Sequence, residues 1–162
     1  MNKLLIIGTI LIVTVAGIVM WNKSYSARVD QVKLLILDAK ATIVASATCG
    51  CCKLYSQYLQ QQGFDVDFKS ESQEDANRYK DANGIPANLR SCHTTRIGNY
   101  LIEGHVPVEA IEKLFKEKPA IKGIALPGMP SASPGMPGPK YGPFMIRTIT
   151  NDNQDGGLFV QL

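Results

Sequence analysis

The sequence predicts an α/β fold built on one mixed sheet with flanking helices. Three observations carry that reading. A short, β-branched apolar run over residues 41–46 leads into a segment of helical period, and then into the alternating run at residues 64–68. Such a strand–helix–strand unit closes as a parallel pair with a right-handed crossover. Further on, two strand-like runs meet at Gly98-Asn99, the signature of a tight antiparallel hairpin. Finally, 45% of residues are hydrophobic and 19% charged, which supplies a core and excludes wholesale disorder.

The elements follow in chain order. Residues 4–21 carry no charge and lie between Lys3 and Lys23. That length suits a membrane span and exceeds the usual secretory apolar region of roughly 7–15 residues. An N-terminal apolar helix is expected, as a signal anchor or a signal peptide within residues 1–23. Ser24-Tyr25-Ser26 before Ala27 is the candidate cleavage site. A core helix fits poorly, because the run is apolar all round. Either favoured reading exports the rest of the chain and allows disulfides. Residues 24–40 read as a linker with an apolar patch at residues 34–37.

The core is expected over residues 41–118. Residues 41–46 form a buried strand. Residues 51–62 form a helix with Leu54, Tyr58 and Leu59 on one face, stopped by Gly63. Residues 64–68 alternate as a half-buried strand. A polar helix spans residues 70–81 and closes at Asn83-Gly84. The hairpin pairs residues 92–97 with residues 100–103. Val106-Pro107 opens a last helix through about Lys118, with Ala110, Ile111, Leu114 and Phe115 buried. This order and mixture match a thioredoxin-like architecture, an analogy of fold rather than of function.

Residues 119–162 are expected to pack on that core. Residues 119–143 hold seven of the nine prolines and five glycines, a density that breaks helices and suits a central strand badly. Pro127-Gly128-Met129-Pro130 and Pro134-Gly135-Met136-Pro137 form a near repeat, each placing a Met on a turn. Residues 144–150 and 158–162 then read as a C-terminal hairpin.

Net charge narrows the function classes. The formal charge is +3, and beyond residue 23 the chain has 15 basic against 14 acidic residues. A nearly neutral body lacks the basic face that nucleic-acid binding needs. No serine–histidine–aspartate set, phosphate loop or spaced carboxylate pair stands out.

Sulfur does stand out. Cys49-Gly50-Cys51-Cys52 sits where a strand enters a helix, and a helix N-terminus favours thiolate. Thiolate is both the nucleophile of disulfide exchange and a metal ligand. Cys51 is a third thiol that a dithiol enzyme does not need. Cys92 is a fourth, on the loop entering the third strand, where thioredoxins carry a cis-proline. Soft thiolates select Cu(I), zinc or iron–sulfur clusters. Zinc sites of four cysteines favour two spaced chelating pairs, whereas here three ligands crowd one turn. Cu(I) accepts low coordination and shared sulfur, and about four Cu(I) ions match the charge of four thiolates. His93, Met129 and Met136 are further copper-compatible donors, His93 only if the strand has not yet begun at Cys92. Export also permits a structural disulfide, Cys49–Cys52 or Cys52–Cys92. His105 reads as a turn residue bonded to its backbone.

Cys49-Gly50-Cys51-Cys52, the run from Gly84 to Thr94, Glu103-Gly104-His105-Val106-Pro107 and the two Gly-Met-Pro turns together resemble the CopG-type periplasmic copper-resistance proteins, long filed under a domain of unknown function. The resemblance spans about residues 40–162. It implies a thioredoxin-like fold and a periplasmic location. The long apolar run departs from the family's usual signal and would tether the chain to the inner membrane through residues 4–21 if it is uncleaved. It also implies copper held by Cys49, Cys51, Cys52 and Cys92 as a cysteine-bridged multinuclear cluster, with His93, Met129 and Met136 as supplements. Copper ions and other envelope copper-handling proteins are the partners it suggests. Two alternatives stand beside it: a thiol–disulfide oxidoreductase using Cys49 and Cys52, and a zinc-stabilised copper-transfer or assembly factor.

Overall fold

The computed structural model describes residues 17–23 and 40–162. Residues 17–23 are helical, with Ile18, Met20 and Trp21 exposed. Among the described residues no helix is long and apolar enough to cross a membrane. Most of the apolar N-terminal run, the candidate cleavage site and the patch at residues 34–37 lie outside the described residues.

From residue 41 the chain forms β1 (Ala41–Ser46), α1 (Gly50–Gln61), β2 (Val66–Glu71), α2 (Gln73–Ala82), β3 (His93–Ile97), β4 (Tyr100–Glu103), α3 (Val108–Glu117), β5 (Gly123–Ala125), β6 (Met145–Ile149) and β7 (Asp155–Gln161). A 3-10 turn, Ala87–Leu89, precedes β3. All seven strands join one sheet in the order β2-β1-β3-β4-β5-β6-β7. β1 and β2 are parallel, as the crossover through α1 requires, while β3 runs antiparallel to both β1 and β4. This mixed sheet with flanking helices is the thioredoxin-like arrangement expected from the order of elements.

Side-chain alternation along β3 shows how the layers are built. His93 stacks on Tyr55 of α1, whereas the next residue, Thr94, accepts a hydrogen bond from Lys80 of α2. α1 and α2 therefore cover opposite faces. α1 is pinned further where Tyr55 Oη donates to the Val106 carbonyl and Tyr58 Oη accepts from Val108 N–H, both at 2.9 Å. Ser72 caps α2 by accepting from Asp75 N–H, so the helix starts three residues later than its polar pattern suggests, after β2 has run to Glu71.

Two expectations need correction. The buried stripe of α1 is Cys52, Tyr55, Ser56 and Leu59, and Leu54 is half exposed. The stripe keeps the i, i+3, i+4, i+7 spacing but starts at a cysteine, which sulfur chemistry had set apart from packing. Residues 119–143 also contain a central strand, β5, parallel to β4 and antiparallel to β6. The prolines flank it at Pro119 and Pro127, leaving a proline-free stretch whose backbone can pair on both sides.

Candidate metal centre

The antiparallel pairing of β1 and β3 places the C-terminal end of one strand beside the N-terminal end of the other, with Ala45 opposite His93. Cys49 follows β1 through a short turn and Cys92 immediately precedes β3, so two segments far apart in sequence converge. Cys49 is the N-cap of α1, with no side-chain capping bond and no acidic residue in the first turn. The positive end of the helix is thus left for sulfur. Cys49, Cys51 and Cys92 are half-buried and Cys52 is fully buried. The four Sγ atoms lie within 4.8 Å of one another. Cys49 and Cys52 are joined by a disulfide, while Cys51 and Cys92 are free. Cys51 Sγ lies 3.5 Å from Cys49 Sγ.

Burial, and then the neighbouring Cys51, push the Cys92 thiol up to about 12. Without metal it is a protonated donor. Its acceptor is His105, whose Nε2 lies 2.9 Å away. The other ring nitrogen of His105, Nδ1, lies 2.7 Å from the Pro134 carbonyl, which can only accept, so the proton sits on Nδ1 and the lone pair on Nε2. His93 is fully buried, with Nδ1 3.5 Å from Cys92 Sγ. Its ring packs 4.6 Å from Tyr55 and 4.8 Å from His105. Burial holds both imidazoles below the usual histidine range, with the positive fields of His105 and Lys80 adding to the effect at His93. Both are therefore neutral near pH 7 and able to bind metal. A ligand atom from each of Cys92, His93 and His105 lies within 4.8 Å of the others.

A second buried layer supports this loop from the opposite face of the sheet. Glu103 accepts from Lys80 Nζ at 2.5 Å, Thr94 Oγ1 at 2.5 Å and Ser91 N–H at 2.7 Å. Burial raises the Glu103 carboxyl, and Lys80 opposes that rise. The Ser91 contact fixes the residue before Cys92. Gly104 packs tightly here: at its φ of +78 a Cβ would lie 2.6 Å from Ser91 Cβ and 2.7 Å from the Leu126 carbonyl.

The proline-rich segment covers the same region. Gly128 N–H donates to the Arg90 carbonyl, and Ser91 Oγ donates to the Gly128 carbonyl. At Gly135 a Cβ would meet Tyr55 N at 2.7 Å and Cys51 O at 3.0 Å, so this turn lies directly on the first turns of α1. Met129 is 55% exposed and Met136 is half-buried.

Cys92 lies just outside the strand and His93 is its first residue, which satisfies the condition for both to face one site. For His105 the sequence favours a turn residue over a ligand. It does bond a backbone carbonyl, yet its other nitrogen faces Cys92. The signal was present in the hairpin register: with Thr94 opposite Glu103, the pairing continued past the strand ends brings Cys92 opposite His105. The Lys80–Glu103 pair left no such trace, because Lys80 lies in a segment of polar composition.

Two solved chains are similar over most of the molecule. "Copper resistance protein copG- Form 1" is 34% identical, covering 76% of this chain and 96% of that one, with a TM-score of 0.68. The chain belongs to the CopG family of copper resistance proteins. "Copper resistance protein copG- Form 2" is 33% identical, covering 76% and 98% of the two chains, with a TM-score of 0.67. A family model described as "Protein of unknown function, DUF411" matches residues 89–136. In this CopG-family chain that match runs from the turn before Cys92 through His93 and His105 to Met136, taking in the loop side of the centre and both methionine turns. No curated protein matches the sequence significantly.

Proposed function

We propose that this chain is a copper-binding protein of the cell envelope that works in copper resistance, taking up Cu(I) through the thiolates of Cys49, Cys51, Cys52 and Cys92. One observation carries the reading: four sulfurs from two segments lie within 4.8 Å of one another at an unneutralised helix N-terminus. Four converging soft donors with no carboxylate among them favour Cu(I) over harder ions. Sulfurs this close can bridge several ions, which supports a cysteine-bridged multinuclear cluster. His93, Met129 and Met136 supplement it.

The disulfide couples copper uptake to electrons. Before all four sulfurs can bind, a dithiol or equivalent two-electron donor reduces the Cys49–Cys52 bond. In the other direction, two Cu(II) ions take one electron each as the Cys49 and Cys52 thiols release two protons and form the disulfide, leaving two Cu(I). Sequestration and Cu(I)/Cu(II) conversion can therefore share one site. Residues 1–23 serve as signal anchor or signal peptide, residues 24–40 as linker, and residues 41–118 as metal-binding core. Residues 119–162 cover the core with the methionine turns and the terminal strands. Other envelope copper-handling proteins are the partners this role requires.

Copper titration of the anaerobically reduced chain tests the reading, with more than one Cu(I) bound per chain expected. The disulfide at the helix N-terminus favours one second reading, a thiol–disulfide oxidoreductase with Cys49 as nucleophile and Cys52 resolving. That activity survives Cys51→Ser and Cys92→Ser, whereas a four-sulfur copper site does not. A zinc-stabilised transfer or assembly factor would instead keep stoichiometric zinc when challenged with Cu(I).

A further inference from the structure

The disulfide of the pocket has beside it a thiol equipped to attack it. The four Sγ atoms lie within 4.8 Å of one another, with Cys49 and Cys52 joined and Cys51 and Cys92 free. A free thiol is mostly protonated near pH 7, and thiol–disulfide exchange needs the thiolate. A thiol becomes a working nucleophile when a base lies in hydrogen-bond reach and a third group orients that base. Cys92 has both. His105 Nε2 lies 2.9 Å from its sulfur, and the Pro134 carbonyl, 2.7 Å from Nδ1, fixes the tautomer that turns the Nε2 lone pair toward Cys92. Gly135 lets the turn that carries this carbonyl lie flat on α1. The other histidine, His93, stands farther off, with Nδ1 3.5 Å from the sulfur. Among the described residues no imidazole hydrogen-bonds to Cys51, the second free thiol.

The disulfide is also set to open in one direction. Cys49 is the N-cap of α1, with no capping bond from its side chain and no acidic residue in the first turn. A negative sulfur released there is favoured by the positive end of the helix. Exchange runs fastest when the departing sulfur is the more stable thiolate. Attack on Cys52 expels Cys49 and so meets that condition. We propose that Cys92 is the nucleophile of an internal thiol–disulfide exchange, with His105 as its general base, which moves the disulfide from Cys49–Cys52 to Cys52–Cys92. His105 Nε2 takes the Cys92 proton and the Cys92 sulfur attacks Cys52 Sγ. The Cys52–Cys92 bond forms as the Cys49–Cys52 bond breaks, and the electron pair leaves on Cys49, which recovers the proton from His105 through solvent. One disulfide and two thiols stand on each side, so no oxidant or reductant is consumed. The exchange decides which half-buried thiols are open: Cys51 and Cys92 before it, Cys49 and Cys51 after it. It also ties the first turn of α1 to the loop entering β3. No metal takes part, so the inference stands apart from the copper reading above.

The test uses the full metal-free chain with the Cys49–Cys52 disulfide, verified by two free thiols and kept without oxygen. After incubation, acid stops the exchange, a maleimide blocks the free thiols, and trypsin cuts after Lys40, Lys53, Arg90 and Arg96. Cys49, Cys51 and Cys52 then share one peptide and Cys92 lies in another, so a migrated disulfide shows in mass spectrometry as a linked pair. The expected result is growth of that pair with time, joined through Cys52, with maleimide appearing on Cys49. His105→Gln should slow the growth at least about a hundredfold, the lower end of what a positioned base contributes. It should reach the same final ratio of the two disulfides, because a base changes the rate and not the equilibrium. Absence of the linked pair in the unaltered chain overturns the proposal, as does a pair joined through Cys49 or Cys51. A His105→Gln chain that shifts the final ratio at an unchanged rate overturns the role of His105 as base. If that variant does not fold, Cys51→Ser decides: the exchange should persist in it, and its loss would show that Cys92 does not attack the disulfide directly.

Discussion

Replacing Glu103 with glutamine isolates the charge of the buried layer behind Cys92 while nearly keeping its shape. Glu103 is fully buried and receives three hydrogen bonds, from Lys80, Thr94 and Ser91. The amide of Glu103→Gln can still accept from Ser91 N–H, but it no longer balances the Lys80 ammonium, whose side chain is 3% exposed. Breaking one partner of a buried ion pair costs about 3–5 kcal/mol, because the other charge is left uncompensated. Small domains have only about 5–15 kcal/mol of stability in total. For a body of this size the loss lowers Tm by roughly 10–20 °C. The double variant Lys80→Met with Glu103→Gln removes both charges and should recover most of the loss, since a neutral pair of similar volume is often as stable as the ion pair. Denaturant unfolding of the reduced, metal-free chain and its three variants gives the double-mutant cycle directly. If each single change costs under about 1 kcal/mol and the two simply add, the pair is not a unit and its role in holding the Ser91–Cys92 loop is refuted.

Cys51→Ser and Cys92→Ser should each abolish most Cu(I) binding, measured by metal analysis after gel filtration; losses in proportion to the sulfurs removed would indicate separate mononuclear sites. Gly135→Ala should be worse than Gly128→Ala in unfolding experiments. Both residues have positive φ, which alone costs about 1–2 kcal/mol for a side chain, but only at Gly135 does the new Cβ run into helix backbone, while at Gly128 it meets open space. Met136→Leu and Met129→Leu, which roughly keep volume, should differ. The half-buried Met136 sits beside the turn packed on α1 and should change copper affinity or redox behaviour more than the exposed Met129, as followed by competitive Cu(I) titration.

The core order was legible because its signals are local. Alternation, helical spacing and the Gly98-Asn99 turn each act over a few residues, and the hairpin they imply is the one observed. Convergence of Cys92 on the Cys49–Cys52 turn was readable only through the thioredoxin-like order of elements; the antiparallel pairing of β1 with β3 that produces it is a long-range contact. β5 leaves little trace, because its three strand residues sit inside a long proline-rich segment. Leu54 misleads because aliphatic spacing alone points to its face, whereas Cys52 sets the buried face of α1. Lys80 is the hardest case. A lysine at the end of a polar helix is almost always solvated, and only the long-range contact with Glu103 on β4 explains its burial. The pairing of His105 with Cys92 falls between these cases: readable from hairpin register, but only once the register is trusted beyond the strand ends.

The most direct test of the account is competitive titration of the reduced chain, kept free of oxygen, with Cu(I) against a chromophoric Cu(I) chelator in the presence of zinc. The account predicts more than one Cu(I) per chain, zinc displaced, and a collapse of the whole stoichiometry in Cys92→Ser. A single tightly held zinc that resists Cu(I), or copper binding that survives loss of Cys92, would contradict it.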